Sequence, residues 1–174
     1  MKLKQLFPLF LALAAAVTPR AAQGQSLIDT LISPNNELGG EFGISVDAIG
    51  GDVNADGIPD VIVGAPGESP GSSPTGAGRA YIISGATGNV LDTLVSPNEQ
   101  KFGAFGQSVA GIGGDVNADG IPDVIVQGGL PYIFSGATGN LIDSLKSPNK
   151  IFGGQFGGSV AGIGGDVNAD GTPD

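Results

Sequence analysis

The chain has 174 residues, 32 of them glycine, with no cysteine, histidine or tryptophan and a formal charge of −10. Without His or Cys no Ser–His or Cys–His nucleophile pair can form, and disulfides cannot staple the fold. All 17 acidic residues lie beyond residue 25, where only Arg79, Lys101, Lys146 and Lys150 oppose them, a net −13 that disfavours nucleic acid and anionic membrane surfaces as partners.

Residues 1–24 read as a secretory signal peptide. Lys2 and Lys4 give the positive start, residues 6–17 are apolar, and Ala22-Gln23-Gly24 supplies small residues before a cleavage ahead of Gln25. The apolar run is too short to span a bilayer comfortably, so no membrane span is expected after cleavage and the product is secreted or displayed at the cell surface. No Asn-x-Ser/Thr sequon occurs, and N-glycosylation is not expected.

From residue 25 to residue 174 the chain repeats itself. Ser33-Pro34-Asn35, Ser96-Pro97-Asn98 and Ser147-Pro148-Asn149 open successive units. Phe42, Ile44, Val46 and Ala48 alternate with period two, which predicts a half-buried strand. In later units Gln107 and Gly158 replace Ile44 and weaken that pattern. Val61-Ile62-Val63 predicts the next strand, ending in a Gly64-Ala65-Pro66 turn. Residues 68–78 are rich in Gly, Pro and Ser and read as an exposed loop. Strands are expected over residues 79–84 and 90–95, separated by Gly85-Ala86-Thr87-Gly88-Asn89.

The second unit follows the same order through Val124-Ile125-Val126, Tyr132-Ile133-Phe134-Ser135 and residues 141–145. It lacks most of the excursion, with Gln127-Gly128-Gly129 where the first has Gly-Ala-Pro. Each full unit thus holds about four short antiparallel strands, the content of one propeller blade, in an all-β chain of two near-complete units and a truncated third.

Between the first two strands of each unit lies an Asp-rich nonapeptide, Asp52-Val53-Asn54-Ala55-Asp56-Gly57-Ile58-Pro59-Asp60 in the first. It recurs at 115–123, and at 166–174 with Thr172 in place of Ile. Side-chain oxygens fall at loop positions 1, 3, 5 and 9, and position 7 can offer its backbone carbonyl. Oxygen donors at that rhythm suit Ca2+, which takes six to eight of them; Mg2+ keeps its waters and rarely sits in an all-protein cage. The candidate ligands are Asp52, Asn54, Asp56, Ile58 and Asp60; Asp115, Asn117, Asp119, Ile121 and Asp123; and Asp166, Asn168, Asp170, Thr172 and Asp174. The last lies on the final residue, so the third site is expected to be weak or absent.

Carboxylates drawn together this way repel one another, so a closed loop implies a cation. Asp, Asn and Gly also make turns with no ion, but the same donor types in three units favour a metal. An EF-hand is excluded, because loop position 12 is Val63 or Val126 and a β-branched run follows directly.

The run Phe42-Gly43, Gly50-Gly51-Asp52, Asp60, Val63-Gly64-Ala65-Pro66 and Gly78-Arg79-Ala80-Tyr81 resembles an FG-GAP repeat, the unit of the integrin alpha-chain β-propeller. The resemblance covers nearly all of the chain after residue 26. It implies a partial β-propeller, incomplete at the C-terminus, whose Asp-rich loops bind calcium. It also implies a module of extracellular adhesion, with a protein or glycan ligand; with no His or Cys, and its closest carboxylates committed to ions, the chain is expected to be non-catalytic. Propellers of the family have about seven blades, so two units and a part cannot close. The chain is expected to belong to a longer propeller or to associate with its own copies through open blade edges. The alternatives are a carbohydrate-binding propeller and the non-catalytic propeller of a larger secreted enzyme. Phe42, Phe105 and Phe156 are assigned to the blade core, and Tyr81 and Tyr132 to strand packing.

Overall fold

A computed structural model describes residues 29–71, 73–149 and 156–173. The predicted signal over residues 1–24 and the final ligand Asp174 lie outside the described residues.

Among the described residues, eight strands form two antiparallel sheets, each in simple sequential order. The first holds β1 (Val46–Ala48), β2 (Val61–Ala65), β3 (Arg79–Ile83) and β4 (Val90–Leu94). The second holds β5 (Val109–Gly111), β6 (Val124–Gly128), β7 (Leu130–Phe134) and β8 (Leu141–Ser144). The described residues contain no helix. Each sheet is one blade of a partial β-propeller, and its β-branched runs became the buried middle strands as the composition predicted.

Register sets which side chains meet. Val46 pairs with Val63 and Val63 with Tyr81, so these three share one face, while Ile62 and Ile82 share the other. The second face of the first sheet (Ile49, Ile62, Ala80, Ile82 and Leu94) packs on the facing side of the second. There it meets Phe105, Val109, Val124, Val126, Tyr132 and Phe134 in one buried cluster. Phe105 and Phe134 meet edge-on at 5.7 Å.

The blades are also joined by backbone. Gly78 and Phe105 form a parallel bridge. The Ser45 hydroxyl accepts from Val109 N–H at 3.1 Å, and the Ser108 hydroxyl accepts from Val160 N–H at the same distance, so the repeat interval reproduces the link. Gly64 allows the approach: a Cβ there would lie 1.9 Å from the Gly106 carbonyl oxygen.

Three sequence expectations need correction. The strand predicted from Phe42 begins only at Val46, because Glu41 (φ 57°) and Gly43 (φ 88°) turn the chain and leave Ile44 exposed. Phe156 is not in the core but is 40% exposed. Residues 68–78 are not a solvated loop throughout, for Glu68 is fully buried and residues 76–78 are buried with it. The Glu68 carboxylate accepts from the Ser33 hydroxyl at 2.5 Å, the Asn35 amide at 2.9 Å and the Tyr81 hydroxyl. The Ser-Pro-Asn motif thus fastens the segment before β1 to the excursion after β2. Burial, and then the Glu68 carboxylate beside it, pushes the Tyr81 hydroxyl well above its ordinary pKa.

Candidate metal centre

The β1–β2 and β5–β6 connections carry the Asp-rich loops. Antiparallel pairing puts both at the end of the blade opposite the β2–β3 connection.

The loops are built by side chains accepting from their own backbone. In the second, Asp115 accepts from Asp119 N–H at 3.1 Å and from Gly120 N–H at 2.5 Å. Asn117 Oδ1 accepts from Asp119 N–H at 3.0 Å, and Asp119 accepts from Ile121 N–H at 2.9 Å. The first loop repeats this with Asp52, Asn54 and Asp56 on the N–H groups of Asp56, Gly57 and Ile58. The third repeats it with Asp166, Asn168 and Asp170, and Thr172 adds its hydroxyl to Asp170 at 2.6 Å. These are Asx-type turns, each closed by the loop's own side chains. The glycine at position 6 takes φ near 90° in each copy, as Gly57, Gly120 and Gly171. The alanine at position 4 is also left-handed in each copy, at φ 59°, 61° and 60° for Ala55, Ala118 and Ala169.

The ninth residue has a second task. Asp60 and Asp123 are fully buried, whereas Asp56 and Asp119 are exposed. Asp60 accepts from Val53 N–H at 2.7 Å and from Gly85 N–H at 3.0 Å. Asp123 accepts from Val116 N–H at 2.7 Å and from Gly136 N–H at 3.1 Å. Each therefore pins its loop to the turn that follows the third strand of its blade. Gly85 and Gly136 must be glycine there, since a Cβ would lie 2.0 Å from the Pro59 carbonyl and 1.9 Å from that of Pro122. From the same turns the hydroxyls of Ser84 and Ser135 reach Asp56 at 3.2 Å and Asp119 at 3.0 Å. Neither serine was a sequence candidate; their signal was position, each standing just before the Gly-Ala-Thr-Gly-Asn turn of its unit.

Electrostatics within a loop are uneven. The Asn117 amide, the Ile121 N–H and the Ser135 hydroxyl hold the Asp119 carboxyl below the usual range, and Asn54, Ile58 and Ser84 do the same to Asp56. In the third loop the Thr172 hydroxyl and N–H, with Asn168, lower Asp170. Burial pushes Asp123 the other way, with a smaller upward push from the Asp119 charge. A cation beside these carboxylates would offset that cost.

Among the described residues, Asp115, Asp119 and Asp123 each bring one carboxylate oxygen within 4.8 Å of the others. That spread is compatible with oxygens around a single hard cation at the 2.3–2.6 Å bonds of calcium. The first loop has the same hydrogen bonds without so tight a convergence of its three carboxylates. The third lacks a described ninth residue.

Comparison with known proteins places these units. The FG-GAP repeat family model matches residues 43–83. The chain is 29% identical over 146 residues to mouse (Mus musculus) integrin alpha-8, covering 76% of this chain and 13% of that protein. It is 36% identical over 110 residues to mouse integrin alpha-E, covering 58% and 9%. It is 29% identical over 157 residues to human (Homo sapiens) integrin alpha-6, covering 86% and 13%. The chain thus spans about an eighth or less of the length of these relatives. Residues 43–83 are an FG-GAP repeat, and the chain is similar to the blades of integrin alpha chains.

Proposed function

We propose that the chain is a secreted, non-catalytic interaction module of the adhesion type whose Asp-rich loops bind calcium. The observation that carries the metal reading is the convergence of Asp115, Asp119 and Asp123 within 4.8 Å, in a turn that residues 52–60 repeat bond for bond. Asp115, Asn117, Asp119 and Asp123 supply side-chain oxygens, and the Ile121 carbonyl supplies a backbone one. Asp52, Asn54, Asp56, Ile58 and Asp60 do so in the first loop. Asp166, Asn168, Asp170, Thr172 and Asp174 are a third set, weak or absent as a site.

In this reading the ion serves the fold. Bound calcium neutralises carboxylates that the chain itself leaves close together, and a ligand taken only by the folded state stabilises by mass action. Partner binding then belongs to other surfaces, an extracellular protein or a glycan being the partner class. Residues 1–24 supply the route to the outside, and unpaired blade edges give the chain a route to self-association.

The test is thermal unfolding of the parent, Asp119→Asn and Asp56→Asn, each with calcium and with chelator. The parent should melt higher in calcium, and each variant should gain less from calcium than the parent does. A parent with one melting curve under both conditions would refute the reading.

A further inference from the structure

We propose that the cleft at the other end of the blades binds a neutral carbohydrate. It has a volume of about 340 Å3 and lies between residues 37–41, residues 66–69 with Thr75 and Gly76, and residues 102–104. Ligand sites for small molecules begin at about 300 Å3. The inference deepens the interaction-module reading by naming a ligand class, and it stands apart from the metal loops.

The cleft is held open by its own bonds. Gly67 N–H donates to the Gly40 carbonyl at 3.1 Å, Phe102 N–H to Thr75 at 2.8 Å and Ala104 N–H to Gly76 at 3.1 Å. Behind it Arg79, almost fully buried, joins Glu99 at 2.6 Å and so ties the excursion to the second unit. A site fixed before its ligand arrives loses less on binding.

Its chemistry is mixed in a way that suits a polyol. Glu37 is anchored through one carboxylate oxygen, which accepts from Ser69 N–H at 2.6 Å. Glu41 lies exposed on the rim. Carboxylates accept strong, charge-assisted hydrogen bonds from hydroxyls. Thr75 adds a hydroxyl, and Ser69, whose hydroxyl oxygen accepts from Gly76 N–H at 2.6 Å, keeps its proton to donate. Phe102 provides the apolar surface: it lines the cleft and is 70% exposed. A phenyl face packs against the C–H face of a sugar ring. An anionic ligand is disfavoured by the two glutamates. A cationic one is disfavoured because Lys101 already places its ammonium 5.2 Å from the Phe102 ring centre, so the sugar would take the ring's other face.

Phe102 stands where the repeat asks for glycine. Gly39 holds that position in the first unit at φ 79°, and Phe102 takes φ 57° in the second. An exposed phenylalanine in the left-handed region carries strain and buries little, and such outliers point to function.

The experiment titrates the full chain, in calcium, with cellobiose, maltose and lactose, read by saturation-transfer NMR and calorimetry. It is repeated on Phe102→Gly, which restores the residue of the first unit and so should fold, and on Glu41→Gln. Binding of at least one sugar, weakened tenfold or more in Phe102→Gly with an unchanged or higher melting temperature, is expected. Equal binding by parent and Phe102→Gly, binding of none of the sugars, or binding of a Lys/Arg-rich decapeptide in their place would overturn it. Melting with and without calcium reports on the loops separately, so either reading can fail without the other.

Discussion

Asp60→Asn separates a metal ligand from a structural staple, because the structure gives Asp60 both roles. Its two oxygens accept from Val53 N–H at 2.7 Å and Gly85 N–H at 3.0 Å, in a side chain with no exposed surface. Asparagine keeps one acceptor and turns an NH2 toward the other N–H, leaving a buried donor without a partner. A lost hydrogen bond to a charged acceptor is worth about 1.5–3 kcal/mol, and an orphaned buried group costs a similar amount. We expect a loss of about 2–3 kcal/mol in chelator, where no metal contributes. For a chain of this size that is a fall of roughly 5–10 °C in melting temperature. The assay is thermal unfolding by circular dichroism in EDTA, checked by urea titration. If Asp60 were only a ligand, removing its charge from the empty loop would be neutral or stabilising. An Asp60→Asn chain that melts at or above the parent temperature in EDTA would refute the staple.

Gly64→Ala should pry the blades apart, since the new Cβ would sit 1.9 Å from the Gly106 carbonyl. The expected cost is about 3 kcal/mol by urea unfolding. Glu68→Ala should strip the buried acceptor from Ser33, Asn35 and Tyr81 at about 3 kcal/mol. Limited proteolysis should then cut residues 29–40 before the sheets open; unchanged protection would count against the latch. In chelator, pH acts on two carboxylates of the second loop in opposite directions. Asp119 is depressed, so its contribution is present above the unfolded carboxylate value of about 3.9 and lost as pH falls through the folded one. Asp123 is raised, so its contribution is full below that value and lost as pH rises through its folded one. Asp119→Asn should therefore show a smaller acid-side drop in melting temperature than the parent below pH about 4.

What the sequence made legible was local. Val61-Ile62-Val63 and Val124-Ile125-Val126 announced buried strands, because β-branched runs between turn residues need no distant information. The Asp-rich loop was legible for the same reason: its ligands and the N–H groups they bind lie within nine residues. Contacts between distant segments were not legible. Glu68 sits in a Gly/Pro/Ser stretch that reads as surface, and its partners Ser33 and Asn35 lie 35 and 33 residues away. Ser84 reaches Asp56 across 28 residues, and only the closed blade brings them together. The alternation of Phe42, Ile44 and Val46 misled because hydrophobic periodicity carries no sign of φ, and Glu41 and Gly43 are left-handed. Phe102 was not singled out in the sequence, and its exposure follows from how three loops meet.

Calcium calorimetry on chelator-stripped chain tests the account most directly. At a free calcium concentration one hundred times the dissociation constant, each occupied site adds about 2.7 kcal/mol to the folded state. Saturable binding is expected at the first and second loops, with that stabilisation appearing as a calcium-dependent rise in melting temperature. Binding should be lost site by site in Asp56→Asn and Asp119→Asn. No heat of binding and one melting temperature with and without calcium would contradict it, and would leave the Asp residues as makers of turns.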